Sequence, residues 1–433
     1  MAIEPAAPPA TAPRPGGRCR HRAAPIREGE LRPTDVVGAF FVCGLVFLAA
    51  AAVAAIVQAL APWPWGRWLA LHLAFVGGVS PLVLGASQFF VGAFLATDPP
   101  PRRLVRAQLA TWVLGAIGLA VAVPEGVGAG VWIAVGLLLA SLALWGAAIA
   151  TMWRRSLRRS PWGAAWYASG ALFLGLGVIA GSLLAHNVPW THGGLLGAHM
   201  SLNLAGWFGG SIVGTLHTFF PSLTQTRLRH PRLQGLAFVA WNGGVAALAV
   251  GYAWTVDPLA VGGWLALCVG TLALLVNVVA SLRDAPRPLS LPARLVGAAQ
   301  PFLLAALVVA TVAALDRGPS GALVGATRDT VGTLLVAGWI GLTVLGSLLH
   351  LLAVVVRVRG GYKARMPDPR PRLDGIVAAL AMLAVAALAL AQEGGPGALH
   401  TPAKWLLVAV YVVLAAQVAR LAGRVLLNAR PSI

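Results

Sequence analysis

Long apolar runs, each closed by a short polar segment, follow one another along this chain once its first 33 residues are passed. Twelve such runs are read, at 34–62, 68–97, 104–123, 128–153, 163–185, 192–221, 233–252, 258–282, 293–315, 330–356, 374–392 and 402–427. Each is long enough to cross a hydrocarbon core of ~30 Å as a helix, and the Asp, Glu, Lys and Arg within these bounds fall toward the ends, as Arg106, Lys404, Arg420 and Arg424 do. The pattern predicts an all-α polytopic bundle of twelve transmembrane helices over residues 34–427. Residues 1–33, rich in Pro, Ala and Arg, offer nothing from which to build a core and are expected to be a disordered tail. A short second tail is expected over 428–433.

Composition agrees and removes other classes. Of 433 residues, 58% are hydrophobic and 10% charged, and the mean hydropathy is +0.80; a soluble domain carries about 25% charged residues. The formal charge of +19 would suit a nucleic-acid binder were it spread over one surface. It is not. Twenty-eight of the 32 Lys and Arg fall in the N-terminal tail, in alternate loops and at the C-terminus, whereas Arg67, Arg317, Arg328 and Lys404 are alone on the other face. By the positive-inside rule this bias predicts that both termini are cytoplasmic. The arginine clusters would then meet anionic head groups, at about 1 kcal/mol each, so the expected partner is the lipid bilayer and no nucleic acid is needed. Arginine outnumbers lysine 30 to 2, which suggests a GC-rich bacterium and hence its plasma membrane. Cys19, Cys43 and Cys268 are too scattered for a disulfide framework or a thiolate metal site.

With no charge inside the spans, histidine is the only ionisable residue at depth. His72 lies in the second span, His199 and His217 in the sixth, and His350 in the tenth, with His186 and His192 flanking the outer end of the sixth. Intramembrane acids and bases mark proton and ion pathways, and their absence speaks against a proton-coupled pump. Along HGGLLGAHMSLNLAGWFGGSIVGTLHTFFP (192–221), a helical projection puts His192, His199, Gly206, Gly210 and His217 within about 40° of one another, with Asn203 to one side. Imidazoles beside a flat glycine face suit a macrocycle with an axial ligand. The same glycines equally suit close helix packing, with His and Asn hydrogen-bonding to neighbours. By depth, His72 and His199 form an outer pair about 6–12 Å below the surface, while His217 and His350 lie near the cytoplasmic ends. A faint internal echo, GWFGGSIVGTL (206–216) against GWIGLTVLGSL (338–348), suggests three four-helix units.

Helices two, six and ten of twelve carry most metal ligands in the catalytic subunit of haem–copper oxidases, a fold of three four-helix arcs. The segment running from His199 through Leu202, Asn203, Leu204, Gly206 and Trp207 to Gly214, Thr215, Leu216 and Pro221 resembles the His-led segment of the NnrS family. That family is a haem–copper-oxidase-like group linked to nitric oxide and denitrification. The segment is more similar still to actinobacterial membrane domains often fused to multicopper oxidase or nitrite reductase modules, whose earlier His-Leu…Gly segment is matched by His72, Leu73 and Gly77. The likeness is specific over about 70–90 and 197–226.

This resemblance implies haem b, or copper, held by His72 and His199, with Asn203 and Gly206 beside the cofactor and His217 and His350 as weaker metal candidates. It further implies electron transfer or a role in nitric-oxide or copper metabolism, with a separate periplasmic redox partner such as a multicopper protein. Departures narrow it: the seventh span has no histidine pair, the tenth only His350, no tyrosine follows His199 by a turn, and Phe89 stands where the fused relatives have a second histidine. Oxygen reduction and proton pumping are therefore not expected. The reading from another class is a transporter or a structural membrane partner without metal.

Overall fold

The computed structural model describes residues 33–156, 161–190, 194–360 and 370–427. The tails expected over 1–33 (Pro33 apart) and 428–433, and His192, lie outside the described residues. Among those described, the chain is all-α, without strands. Its long helices are α1 (Pro33–Leu60), α2 (Gly66–Leu95), α3 (Arg102–Ala122), α4 (Gly128–Arg155), α5 (Pro161–Ala185), α6 (194–223), α7 (Leu233–Ala253), α8 (Asp257–Asp284), α9 (Leu291–Arg317), α10 (325–360), α11 (Pro371–Gln392) and α12 (His400–Leu427). Eleven of them are long and apolar enough to cross a membrane; α6, the helix bearing His199, Asn203 and His217, is the one not in that set. Polar groups within hydrocarbon must find their partners inside the protein, and α6 is the helix with most need of them.

Consecutive helices pack in pairs: α1 on α2, α3 on α4, α5 on α6, α7 on α8, α9 on α10 and α11 on α12. Contacts at one end join Arg229 to Asp284 at 2.6 Å and Ser156 Oγ to the Leu95 carbonyl at 2.8 Å. At the other, Arg-poor end, Arg67 meets Asp329 at 3.6 Å and Trp190 packs edge-on to Trp254. The exposed tryptophans Trp63, Trp65, Trp132, Trp190, Trp254 and Trp405 all sit at this Arg-poor end. Amphipathic indoles gather where hydrocarbon meets water, so this ring marks one membrane interface.

Three helices depart from α geometry in the same way. α2 is π-helical over Leu73–Val79, α6 over Ser201–Gly209 and α10 over Thr333–Gly341. A π segment widens the helix by an inserted residue and leaves a carbonyl without its usual i+4 donor. In each segment an aromatic side chain from another helix reaches one carbonyl: Trp112 Nε1 donates to Val76 O (2.9 Å), Trp241 Nε1 to Ala205 O (2.9 Å), which also accepts from the Gly210 N–H, and the Tyr411 hydroxyl to Ala337 O. The next residue is glycine every time, and a phenylalanine from the preceding helix fills its place. Phe47 of α1 lies against Gly77, Phe173 of α5 against Gly206 and Phe302 of α9 against Gly338, and an added Cβ would meet these side chains at 2.3, 2.6 and 2.8 Å. The faint echo in sequence thus corresponds to packing made three times over, once in each run of four helices.

Candidate metal centre

His72 ends the first α-helical part of α2 and His199 lies one residue short of the end of the corresponding part of α6. Their rings face the same space: centroids are 6.5 Å apart and the planes 18° from parallel. Trp68, one turn before His72, stacks on its other side at 4.0 Å. His72 Nδ1 lies 2.9 Å from the Trp68 carbonyl and His199 Nδ1 2.8 Å from the Gly177 carbonyl of α5. A carbonyl only accepts, so Nδ1 of each neutral ring carries the proton. That assignment follows from the partners, and it leaves both Nε2 lone pairs without a hydrogen-bond partner among the described residues. Metal-binding imidazoles are held in this fashion, one nitrogen tied to a carbonyl so that the other is basic and oriented.

Asn203 supports His199 from the next turn. Its Nδ2 donates to the His199 carbonyl at 2.7 Å and also lies 3.3 Å from His199 Nδ1; since that nitrogen already donates to Gly177, the carbonyl bond is the effective one. Room for both side chains comes from α5. A Cβ on Gly181 would lie 2.8 Å from His199 Cε1, and one on Gly177 would lie 2.4 Å from Asn203 Nδ2. This small-xxx-small pair and Trp68 belong to the centre although the sequence reading did not single them out. The visible signals were the four-residue spacings, Trp68 to His72 and Gly177 to Gly181.

The other candidates go elsewhere. The glycine face of α6, expected to leave a flat vacancy, is filled: Phe173 occupies the space over Gly206, and Trp166 and Trp241 reach the edge of Gly210. α5 and α7 bring large aromatic rings to α6, and the small residues serve that approach. His217 is 1% exposed, and neither ring nitrogen has a partner among the described residues. His350 packs edge-on against Phe219. His186 Nδ1 donates to the Ser182 carbonyl at 2.7 Å, its Nε2 lies 3.3 Å from the Gly128 carbonyl, and the ring stacks on Trp132. Among the described residues no group of three or more His, Cys, Asp or Glu converges, so the centre is a two-histidine one.

Among the described residues of α2, α5 and α6 the one formal charge is Arg67, exposed and paired with Asp329. His72, His199 and Asn203 are half-buried, while Gly77–Leu82 nearby in the chain and Gly206–Val213 are almost wholly buried. Comparison with protein-family models and with curated proteins found no match for this chain. What the centre does must therefore be argued from its own geometry.

Proposed function

We propose that this chain is a bis-histidine haem b protein of a bacterial plasma membrane that passes single electrons, with His72 and His199 as the two axial ligands. The observation that carries this reading is the spacing of the pair. With metal–nitrogen bonds of about 2.0–2.1 Å, two imidazoles on opposite sides of one ion have ring centroids roughly 6.3 Å apart, against 6.5 Å here. Direct stacking brings rings closer, as Trp68 and His72 show at 4.0 Å. Tied Nδ1 protons and free Nε2 atoms fit the donor side of such a group. When bound, it would supply a reversible one-electron couple at iron. His72 and His199 together would hold the iron, and an iron held by two imidazoles suits electron transfer more than gas chemistry.

The chain's own residues have definite parts in this. Trp68 and the Gly177 carbonyl hold the two rings in orientation, and Asn203 stiffens the turn below His199. In the same reading α6 is the twelfth membrane span, the three aromatic-braced π segments mark three four-helix arcs, and the Arg-rich loops and both termini are cytoplasmic. His72 and His199 then lie toward the periplasm, where a separate redox protein such as a multicopper protein would exchange electrons. A single copper ion on the same pair is the second reading, favoured by the closeness of α5: Gly177 and Gly181 leave no free space on that side of His199.

A pyridine haemochrome assay on protein from haem-supplemented cells, with copper determined in parallel, decides between them. One haem per chain is expected, with sharp α and β bands on reduction that are lost in His72→Ala and His199→Ala but kept in His217→Ala and His350→Ala. Copper without haem selects the second reading. Neither metal would leave a transporter or a structural partner.

A further inference from the structure

Small residues in a membrane bundle normally let a neighbouring helix come close, and on most faces here they do. A Cβ on Gly115 of α3 would lie 2.9 Å from Leu138 of α4. Between α4 and α5 the same residue types line a face that nothing fills. A Cβ on Gly146 of α4 would meet nothing within 4 Å, and one on Gly175 of α5 would come no closer than 3.9 Å to Leu139 and Leu142. The result is a groove of about 430 Å³, with Ala143, Gly146, Ala168 and Gly175 along it and Leu172 and Ile179 exposed beside it. Both helices are long and apolar enough to cross a membrane, so the groove faces hydrocarbon.

Its chemistry and size limit what can lie there. Every lining residue is apolar, and the one polar group among them, the Trp145 indole N–H, is spent on Ser87 Oγ at 2.9 Å. Water needs two to four polar partners and would find none. From Ala168 to Ile179 the groove follows about 16 Å of helix. A partner helix, 10–12 Å across, would need more than ~1,000 Å³ over that length. A hydrocarbon chain fits: at about 30 Å³ for a group the size of a water, the volume corresponds to roughly fourteen methylenes.

The end of α4 supplies a place for a head group. Arg154 and Arg155 close this helix, exposed and without an ion pair among the described residues. Arg102, Arg103 and Arg106, also exposed, open α3, which packs along α4. Against these five cations the loop before α3 offers one acid, Asp98, whereas Arg229 has its charge met by Asp284 at 2.6 Å. Leu139 lies about 22 Å along α4 from Arg154, and one leaflet with its head groups is ~20–22 Å deep. A phospholipid with its phosphate at Arg154 therefore ends its chain in the groove.

We propose that the α4–α5 groove binds one anionic phospholipid, an acyl chain lying between Leu139 and Gly175 and the phosphate held by Arg154 and Arg155. The inference does not depend on a metal at His72 and His199.

The test is native mass spectrometry of the full-length protein, released from micelles containing equal amounts of dioleoyl phosphatidylglycerol and dioleoyl phosphatidylcholine. The parent should carry one phosphatidylglycerol that is lost in Gly146→Leu, which fills the groove, and in the double variant Arg154→Gln/Arg155→Gln, which removes the phosphate contacts. Phosphatidylcholine should not take its place. Gly262→Leu, at an equally open glycine of α8, should keep the lipid. Gly146 faces open space, so its replacement is not expected to disturb folding, and the arginine pair gives an independent reading. Equal retention of phosphatidylcholine by the parent, phosphatidylglycerol kept in both groove and arginine variants, or its loss in Gly262→Leu as well would each overturn the proposal.

Discussion

Replacing Tyr411 by Phe removes one hydroxyl and almost no volume, and it isolates what the aromatic donors contribute to the π segments. The hydroxyl donates to Ala337 O, and Gly341 lets it approach, since a Cβ there would collide with it. In Tyr411→Phe the Ala337 carbonyl keeps its place in the π turn but loses its donor. Leaving a buried acceptor unpaired costs about 1–3 kcal/mol. Hydrogen bonds inside membranes average about 0.6 kcal/mol and reach ~1.7 because the unfolded chain in the membrane also finds partners. A loss of about 1–2 kcal/mol is expected, which is roughly a tenfold shift in the unfolding equilibrium at its centre. Equilibrium unfolding of the purified protein by SDS in mixed micelles, followed by tryptophan fluorescence, would measure it. Trp112→Phe and Trp241→Phe should cost more, because each also removes ring volume from a site at most 1% exposed. A Tyr411→Phe protein within ~0.3 kcal/mol of the parent would refute the idea that these side-chain donors stabilise the π segments.

Three further outcomes are expected. Gly181→Ala should displace the His199 ring, because the new methyl would lie 2.8 Å from Cε1; cofactor content should fall several-fold while yield and helicity by circular dichroism hold. Gly206→Ala should destabilise by about 1–3 kcal/mol through overpacking against Phe173, and Phe173→Leu should restore part of the loss in the double variant; additive losses in the same unfolding assay would contradict this. Arg67→Ala should change stability by less than about 1 kcal/mol, since the pair with Asp329 is solvent-exposed, and any effect should shrink as salt is raised.

Much of this architecture is legible without coordinates because the bilayer is a severe solvent. A helix must satisfy its own backbone in hydrocarbon, so runs of apolar residues define the helices to within a few residues at most ends, as at α3, read at 104–123 and found at Arg102–Ala122. Composition likewise makes the chain a membrane protein, and histidine stands out because Asp, Glu, Lys and Arg are confined to the ends of the helices. The relation of His72 to His199 needed the tertiary structure, since it depends on how α2 and α6 approach, with α5 supplying a carbonyl and two glycines. Periodicity could not reveal the π segments either, because an inserted residue leaves no mark on composition and only its carbonyl's partner, Trp112, Trp241 or Tyr411, identifies it. The glycines of α6 illustrate the division most plainly. Their spacing along one face was readable, but a glycine face fits either a flat ligand or a neighbouring ring, and Phe173 and Trp166 of α5 occupy it. A sequence states which surfaces can approach closely; packing decides what arrives there.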